Sequence, residues 1–167
     1  FEGYGSIFLV PEISLTPQMV ERFQSEFKNN IAILHSSLSD IERAKEWESI
    51  YTGEKKIVLG VRSAIFSPVK NLKYIILDEE HDGSFKQQDG WRYHARDLGI
   101  VLAQKLNIPI LLGSATPSLE SVNNVQNGKY RHLVLSKRAG NATALRQFVI
   151  DLKHQRIQNG LSEPLLQ

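Results

Sequence analysis

The strongest chemical signal in the sequence is a group of acidic residues behind a short apolar run. Asp78, Glu79, Glu80 and His81 directly follow the run Tyr74–Leu77. If that run is a buried strand of an open α/β sheet, the acids lie at its carboxyl end, where such sheets bind ligands. Phosphoryl transfer needs a hard oxygen ligand for Mg²⁺ and a second group that orients water. Asp78, acting on Mg²⁺ through water, suits the first role and Glu79 the second. Glu80 and His81 complete the predicted catalytic set.

A second signal lies between another apolar run and a predicted helix start. Ser114, Ala115 and Thr116 follow the run Ile108–Leu112. Small hydroxyl residues in such a turn can present their side chains and backbone N–H groups to a phosphate or to a neighbouring carboxylate. We therefore predict that this segment couples the acidic site to the rest of the domain.

The segment Ser84–His94 combines three aromatic residues, two basic residues and two adjacent amides around a glycine. Aromatic rings stack on bases and cations contact phosphates, which is the combination that single-stranded nucleic acids require. We predict that DNA is bound by the aromatic and basic residues of this segment and by the next arginine: Phe85, Lys86, Trp91, Arg92, Tyr93 and Arg96.

Each of these patterns also has a structural explanation. Acidic residues are favourable at a helix N-terminus, and hydroxyl residues cap ordinary turns. The aromatic rings could simply hold a long loop against the core. Arg62, which follows another apolar run, could form an internal salt bridge rather than bind a phosphate.

The elements that must position these residues alternate along the chain. The apolar runs favour strands that are buried on both faces, as in a parallel sheet. Helices are predicted between them from caps and apolar spacing, and the alternation indicates an α/β fold with a mostly parallel sheet and flanking helices. The predicted strands are Ile7–Val10, Ile31–Leu34, Lys56–Leu59, Tyr74–Leu77, Ile108–Leu112 and His132–Leu135.

The length and composition of the chain exclude several classes of fold and function. The chain has 167 residues, 20 Lys and Arg against 18 Asp and Glu, and no cysteine. One domain is expected at this length, and a chain-wide polybasic surface is excluded. Disulfides, cysteine-based zinc sites and a cysteine nucleophile are excluded within this chain. Because the sequence opens on Phe1 and stops in an apparent helix, we expect a segment of a longer cytoplasmic protein.

The order of the motifs is informative beyond each motif alone. An acidic Asp-Glu-Glu-His box followed about forty residues later by Ser-Ala-Thr resembles motifs two and three of superfamily-two helicases. Further segments resemble the bacterial primosomal protein N′ family of replication-restart helicases over nearly the whole chain. These segments are Val10–Gln18, Leu34–Ser36, Glu42–Arg43, Gly60–Ala64, Asp78–Gln88, Tyr93–Asp97 and Arg138–Ala142.

This resemblance implies a RecA-like motor lobe of a P-loop NTPase that lacks its phosphate-loop strand within this chain. Residues 1–136 would be most of lobe one, and 137–167 a connector toward a zinc module and a second lobe. The sequence contains no Gly-x-x-x-x-Gly-Lys-Ser/Thr, which in the family precedes the Ile7–Val10 strand. The chain alone is therefore expected to be inactive. The resemblance also places further residues on the DNA track: Pro11, Glu12, Thr16, His35, Gly60, Arg62 and Ser63.

For the longer protein, the resemblance implies 3′-to-5′ helicase activity driven by ATP and Mg²⁺, replication restart and loading of the replicative helicase. It also implies Zn²⁺ in a cysteine module outside this chain, and nucleoid association. Expected partners are single-stranded and forked DNA, single-stranded-DNA-binding protein and primosome proteins, with no membrane. Two alternatives remain: a non-catalytic DNA-binding or scaffold module, and the translocase lobe of a restriction enzyme.

Overall fold

A computed structural model describes residues 3–136, 149–153 and 157–162. Two compact units divide the chain, Phe1–Arg131 and His132–Gln167. None of the helices in the described ranges is long and apolar enough to cross a membrane.

The first unit is built on a five-stranded sheet. Its strands run in the order β2-β3-β1-β4-β7, and every neighbouring pair is parallel. The predicted parallel α/β architecture is therefore confirmed. The central strands are buried because they are covered on both faces. The strands of this sheet are β1 (Gly5–Leu9), β2 (Ile31–Leu34), β3 (Ile57–Gly60), β4 (Leu72–Leu77) and β7 (Ile110–Leu112), and a separate short hairpin consists of β5 (Lys86–Gln87) and β6 (Tyr93–His94).

The described residues contain four α-helices, and local signals in the sequence define most of their ends. Thr16 caps the first helix, and Ser39 with Glu42 forms a capping box at the start of the second. The sequence Thr116-Pro117 predicts the start of the fourth helix, but the helix is capped by Ser118, two residues later than Thr116. The helices are α1 (Pro17–Phe27), α2 (Asp40–Thr52), α3 (Ala95–Leu106) and α4 (Leu119–Gln126).

The helical spacing of Ile41, Ala44, Trp47 and Tyr51 predicts that they form the inward face of α2, and this prediction is wrong. Trp47 was expected in the core but is 37% exposed, and Ile41 and Tyr51 are exposed more strongly. Ile50 is the one buried residue of this helix. The helix lies against β2, the outermost strand on that side, and contacts it through the opposite face. Helical spacing shows which residues share a face, but it does not show which face meets the sheet.

The predicted strand His132–Leu135 is also wrong, because the structure describes no strand there. A strand forms only when a neighbouring strand completes its hydrogen bonds, and none of the described residues pairs with this segment. The second unit instead contains an antiparallel hairpin whose turn is Asn159-Gly160, both in the left-handed region. Its strands are β8 (Ile157–Gln158) and β9 (Leu161–Ser162). The segment 137–148, with most of the predicted connector motif, lies outside the described residues.

One edge of the sheet is open among the described residues. β7 pairs with β4 on one side only, and the side chain of Leu111 is half exposed. In lobes of the family that the sequence resembles, the phosphate-loop strand lies beside this strand. An open apolar edge is a template for pairing with another chain.

We therefore expect the 167-residue chain on its own to self-associate. Size-exclusion chromatography with light scattering, over a concentration series, should show a mass that rises with concentration. A strictly monomeric chain with a single cooperative melting transition would show that the sheet tolerates the open edge.

Candidate functional site

The acidic residues lie at the carboxyl end of β4, as predicted, and backbone hydrogen bonds join them to the segment after β7. The amide of Gly113 donates to Leu77 O (2.8 Å), and the amide of Glu80 donates back to Gly113 O (3.0 Å). The amide of Asp78 donates to Leu9 O in β1 (2.9 Å). The carboxyl ends of three neighbouring strands thus hold the acidic turn in place.

Glu79 differs from an ordinary turn residue in its backbone conformation, and its side chain is partly exposed. Glu79 has a φ of 50°, in the left-handed region that non-glycine residues rarely adopt. Such a conformation costs on the order of 1–3 kcal/mol and persists where the surroundings over-determine it. The amide of Glu79 donates to the Asp78 carboxylate (3.1 Å), and the Glu79 side chain is 42% exposed. Glu79 can therefore reach a ligand above the sheet.

His81 connects the acidic turn with the Ser-Ala-Thr segment. Its Nδ1 shares a hydrogen bond with Ser114 Oγ (2.7 Å), and its Nε2 lies 3.4 Å from Thr116 Oγ1. The same Nδ1 is 3.5 Å from the Glu79 carboxylate. The His81 ring thus contacts both the acidic turn and the Ser-Ala-Thr segment, which the sequence predicted to be coupled. Ala115, between Ser114 and Thr116 in the chain, is exposed.

Glu80 differs from Asp78 and Glu79 because its side chain is buried. Its side chain is 1% exposed and forms an ion pair with Arg96 (3.0 Å). It also accepts hydrogen bonds from the amide and the hydroxyl of Ser118. Burial acts to raise the pKa of the Glu80 carboxyl, but the hydrogen bonds from Ser118 and Arg96 outweigh it and hold the pKa below its ordinary value. The predicted catalytic role of Glu80 does not fit these surroundings, because its carboxylate is buried and already paired with Arg96 and Ser118.

A groove of about 410 Å³ is lined by residues from distant parts of the sequence. Six of the residues predicted to bind DNA line it: Glu12, His35, Arg62, Ser63, Trp91 and Tyr93. The sequence analysis missed the other five, which are Ser36, Val61, Arg43, Ser84 and Gln87. All five lie within segments that carried the family resemblance, so that signal was available for them.

The loop Ser84–His94 lies on one side of the groove. It is held by contacts of Arg62 and Tyr93, whereas the ring of Trp91 is exposed. Arg62 donates to Ser84 O (3.2 Å) and approaches Lys86 O (3.5 Å), so it holds the start of the loop. Tyr93 packs edge-to-face on Phe66, with ring centroids 5.0 Å apart. Trp91, in contrast, is 88% exposed. Its ring is available for stacking without rearrangement of the core.

Two residues of the predicted DNA set are buried or already paired within the domain. Phe85 is fully buried in the main core cluster, so its ring holds the loop rather than a base. Arg96 is largely buried, and its guanidinium is shared between Glu80, Asp97 and Ser118. A guanidinium with these partners has little capacity left for a phosphate.

The remaining predicted DNA contacts lie outside the lining of the groove. Lys86 and Arg92 are exposed on the loop. Pro11 is buried, and the Thr16 hydroxyl accepts from Met19 N as a helix cap. Gly60 is buried at the end of β3, where an added Cβ would lie 2.6 Å from Leu34 O. Gly60 therefore permits close packing inside the sheet rather than a close approach of DNA.

Gly60→Ala is expected to destabilise the domain, because the added methyl would also lie 2.7 Å from Ala64 Cβ. Overpacking of this kind costs roughly 1–3 kcal/mol. Thermal or urea unfolding of the variant measures the loss. The matched control is Gly83→Ala, since no atom lies within 4 Å of an added Cβ there. Equal stability of both variants would contradict the packing role.

Comparison with known proteins identifies the class. A family model of the DEAD/DEAH box helicases matches residues 1–125. The chain belongs to that family, as its parallel sheet and Asp-Glu-Glu-His turn indicate. Its curated relatives are replication restart proteins named PriA: that of Haemophilus influenzae is 68% identical over 165 residues, which are 99% of this chain and 23% of the relative.

Two further relatives also match most of this chain over a small part of their own length. PriA of Bacillus subtilis is 45% identical over 159 residues, which are 95% of this chain and 20% of the relative. PriA of Synechocystis is 50% identical over 135 residues, which are 78% of this chain and 16% of the relative. The chain thus spans less than a quarter of the length of each of these three relatives. The predicted resemblance to replication-restart helicases is confirmed.

Proposed function

We propose that this chain is a segment of the first motor lobe of an ATP-driven DNA helicase that acts in replication restart. The observation that carries the proposal is the placement of Asp78 and Glu79 at the carboxyl end of β4. His81 joins them there to the Ser114–Thr116 segment. The likeness to PriA over 99% of the chain supports the same reaction.

The residues fit the chemistry of ATP hydrolysis. Mg²⁺ in phosphoryl-transfer sites is usually held by one or two carboxylates together with substrate phosphates. Asp78 would hold Mg²⁺ through a bound water, and the ion would neutralise charge on the phosphates. Glu79 orients the attacking water. When this turn changes its conformation, His81 moves with it and shifts Ser114 and Thr116 through its contacts with their hydroxyls.

The groove supplies the DNA contacts in this proposal. Trp91 offers a stacking surface, and Arg43 and Arg62 contribute positive charge on the same concave surface. Glu12, which accepts a hydrogen bond from Ser36, repels phosphate and instead favours the donor groups of a base. The strand would therefore follow the arginines with its backbone and present its bases to Trp91.

Full activity belongs to the longer protein. We propose that it translocates 3′-to-5′, loads the replicative helicase and contacts single-stranded-DNA-binding protein and primosome proteins in the cytoplasm at the nucleoid. A cysteine module outside this chain would bind Zn²⁺. The test is ATP hydrolysis by the longer protein with and without single-stranded DNA. Hydrolysis that rises when DNA is added supports the proposal, and DNA binding without hydrolysis favours the scaffold alternative.

The 167-residue chain on its own is expected to bind ATP weakly or not at all. A phosphate loop supplies most of the backbone cradle for the β- and γ-phosphates, and its sequence motif does not occur in this chain. Calorimetric titration of the chain with ATP and Mg²⁺ measures the affinity. A micromolar dissociation constant would contradict this expectation.

A further inference from the structure

Lysines collect at the edge of the sheet where its strands begin, opposite the acidic turn. All five strands are parallel and therefore begin at one edge, which we call the amino edge. Its described segments contain six lysines and one glutamate, whereas the rest of the chain has 14 Lys and Arg against 17 Asp and Glu. The amino edge is therefore the basic part of a nearly neutral chain. Its segments are 3–5, 28–30, 51–56, 70–73 and 105–109.

Two of these lysines lie on either side of a tyrosine at the centre of the amino edge. Tyr4 directly precedes β1, which lies between β3 and β4 in the sheet. Lys73 Nζ, from β4, lies 5.9 Å from the centroid of the Tyr4 ring. Lys56 Nζ, from the start of β3, lies 3.7 Å from the position of a Cβ added to Gly3. The backbone there is fixed, because the amide of Ser6 donates to Lys56 O (2.9 Å).

The charges of Lys56 and Lys73 are not neutralised within the described part of the chain. Neither lysine forms a salt bridge with a described residue. Lys55, in contrast, is paired with Glu46 (2.7 Å). Glu54 is the one glutamate in the described segments of the amino edge, and its side chain is exposed. Lys56 and Lys73 are therefore available to an anionic ligand.

Helix ends account for the other lysines of the amino edge but not for these two. A lysine is favourable at a helix C-terminus because it faces the negative end of the helix dipole. Lys28 follows α1, Lys105 lies in the last turn of α3, and Lys70 donates to the last carbonyl of α2 (2.9 Å). Lys56 directly precedes β3 and Lys73 lies in β4. A helix dipole therefore does not explain their positions.

The chemistry of the amino edge fits the phosphates of duplex DNA. Lysine is a compact point charge that contacts phosphate without reading bases. Duplex DNA carries one charge per about 1.7 Å of its axis, twice the density of a single strand. Five strands about 4.8 Å apart spread their starts over roughly 19 Å, so several phosphates can be contacted together. A single strand would need free rings for stacking, and the Tyr4 ring already has the Lys73 ammonium beside it.

A ligand on the amino edge would not compete with a strand in the groove. Glu12 and Arg62 line the groove and follow the carboxyl ends of β1 and β3. Strand β1 has five residues, and at a rise of about 3.3 Å per residue its two ends are roughly 16 Å apart. The amino edge and the groove therefore lie at opposite ends of the same strands.

We propose that the amino edge binds the phosphate backbone of a duplex arm of forked DNA through Lys56 and Lys73, on either side of Tyr4. The groove holds the single strand at the same time. Two linked contacts bind a substrate that carries both parts more tightly than either contact alone, so a fork is preferred over a single strand. This inference rests on the proposed function and adds to it a second DNA-binding surface.

The test compares the longer protein with its variant Lys56→Gln/Lys73→Gln. Fluorescence anisotropy without nucleotide, over a range of salt concentrations, gives the affinity for a single-stranded oligonucleotide and for the same strand carrying a duplex arm. Each lost duplex phosphate contact lowers the slope of log affinity against log salt by about 0.9. We expect the slope for the duplex-armed probe to fall by about 1.8. The slope for the single strand and the melting temperature should stay at their wild-type values.

Two matched controls separate this contact from a general loss of charge. Arg22→Gln/Lys45→Gln removes two exposed charges that lie outside the amino edge and the groove lining. It should keep the wild-type slope for both probes. Lys56→Arg/Lys73→Arg preserves both charges of the amino edge and should keep the wild-type slopes as well.

Several outcomes would overturn the inference. One is a wild-type slope for the duplex-armed probe in Lys56→Gln/Lys73→Gln, also if this variant loses binding to poly-glutamate, because the amino edge would then serve an acidic protein. Another is an equal fall of the slope for both probes, because the amino edge would then contact the single strand. A variant that melts well below wild type would show that the two lysines are a structural requirement.

Failure of the proposed function would be seen separately. ATP hydrolysis by the wild type that does not respond to DNA would contradict the proposed function. The salt slopes are measured without nucleotide, so they decide whether the amino edge binds duplex DNA in either case.

Discussion

Glu79→Gln is expected to reduce ATP hydrolysis by the longer protein by orders of magnitude and to leave ATP binding nearly unchanged. The carboxylate acts on the attacking water, so its contribution is made mainly in the transition state. Positioned general bases contribute roughly 10²- to 10⁴-fold. Glutamine keeps the size of the side chain and can still occupy the left-handed turn, but it cannot accept the proton.

Steady-state ATPase assays measure the hydrolysis rate, and nucleotide titration of the same preparation measures the affinity for ATP. Glu120→Gln is the matched control, since Glu120 is an exposed glutamate in the first turn of α4 and is not among the residues that line the groove. It should hydrolyse ATP like the wild type. Wild-type turnover by Glu79→Gln would refute the assignment of Glu79.

Trp91→Ala is expected to have the largest effect on DNA binding. The ring is exposed and lines the groove, so its loss removes a stacking surface and leaves the core intact. Stacking of a base on an aromatic side chain contributes about 1–3 kcal/mol. The affinity for single-stranded DNA should therefore fall roughly 5- to 150-fold. DNA-stimulated hydrolysis should fall with it, and basal hydrolysis should change less.

Fluorescence anisotropy with a labelled oligonucleotide gives the affinity, and ATPase rates give the stimulation. Trp47→Ala controls for the loss of a partly exposed tryptophan outside the groove. Arg92→Ala, on the exposed part of the same loop, should weaken stimulation in the same direction. If basal and stimulated rates fall equally in Trp91→Ala, the loop has a structural role and does not sense DNA.

Local signals in the sequence predicted the features that depend on neighbouring residues. The cap at Thr16 and the capping box of Ser39 and Glu42 follow from contacts within a few residues. The position of Asp78 and Glu79 could also be predicted, because a short apolar run that ends in acids has few structural interpretations. The parallel sheet followed from the repeated β-branched and leucine runs.

Features that depend on the packing of distant segments could not be predicted in the same way. Glu80 and Glu79 are adjacent and chemically alike, but one is buried against Arg96 and Ser118 and the other is partly exposed. The direction of each side chain is set by the left-handed turn at Glu79, for which the sequence shows no glycine or asparagine. The groove likewise requires segments that are far apart in the chain, such as those around Ser36, Arg62 and Gln87.

Strand displacement on forked DNA by the longer protein tests the central claim most directly. The claim is that Asp78 and Glu79 are part of a motor that separates DNA strands. The wild type is expected to displace a labelled strand only when ATP and Mg²⁺ are present, and to require a loading strand of 3′-to-5′ polarity. Glu79→Gln should bind the same fork and displace nothing. Displacement that is independent of ATP, or equal in Glu79→Gln and the wild type, would contradict the account.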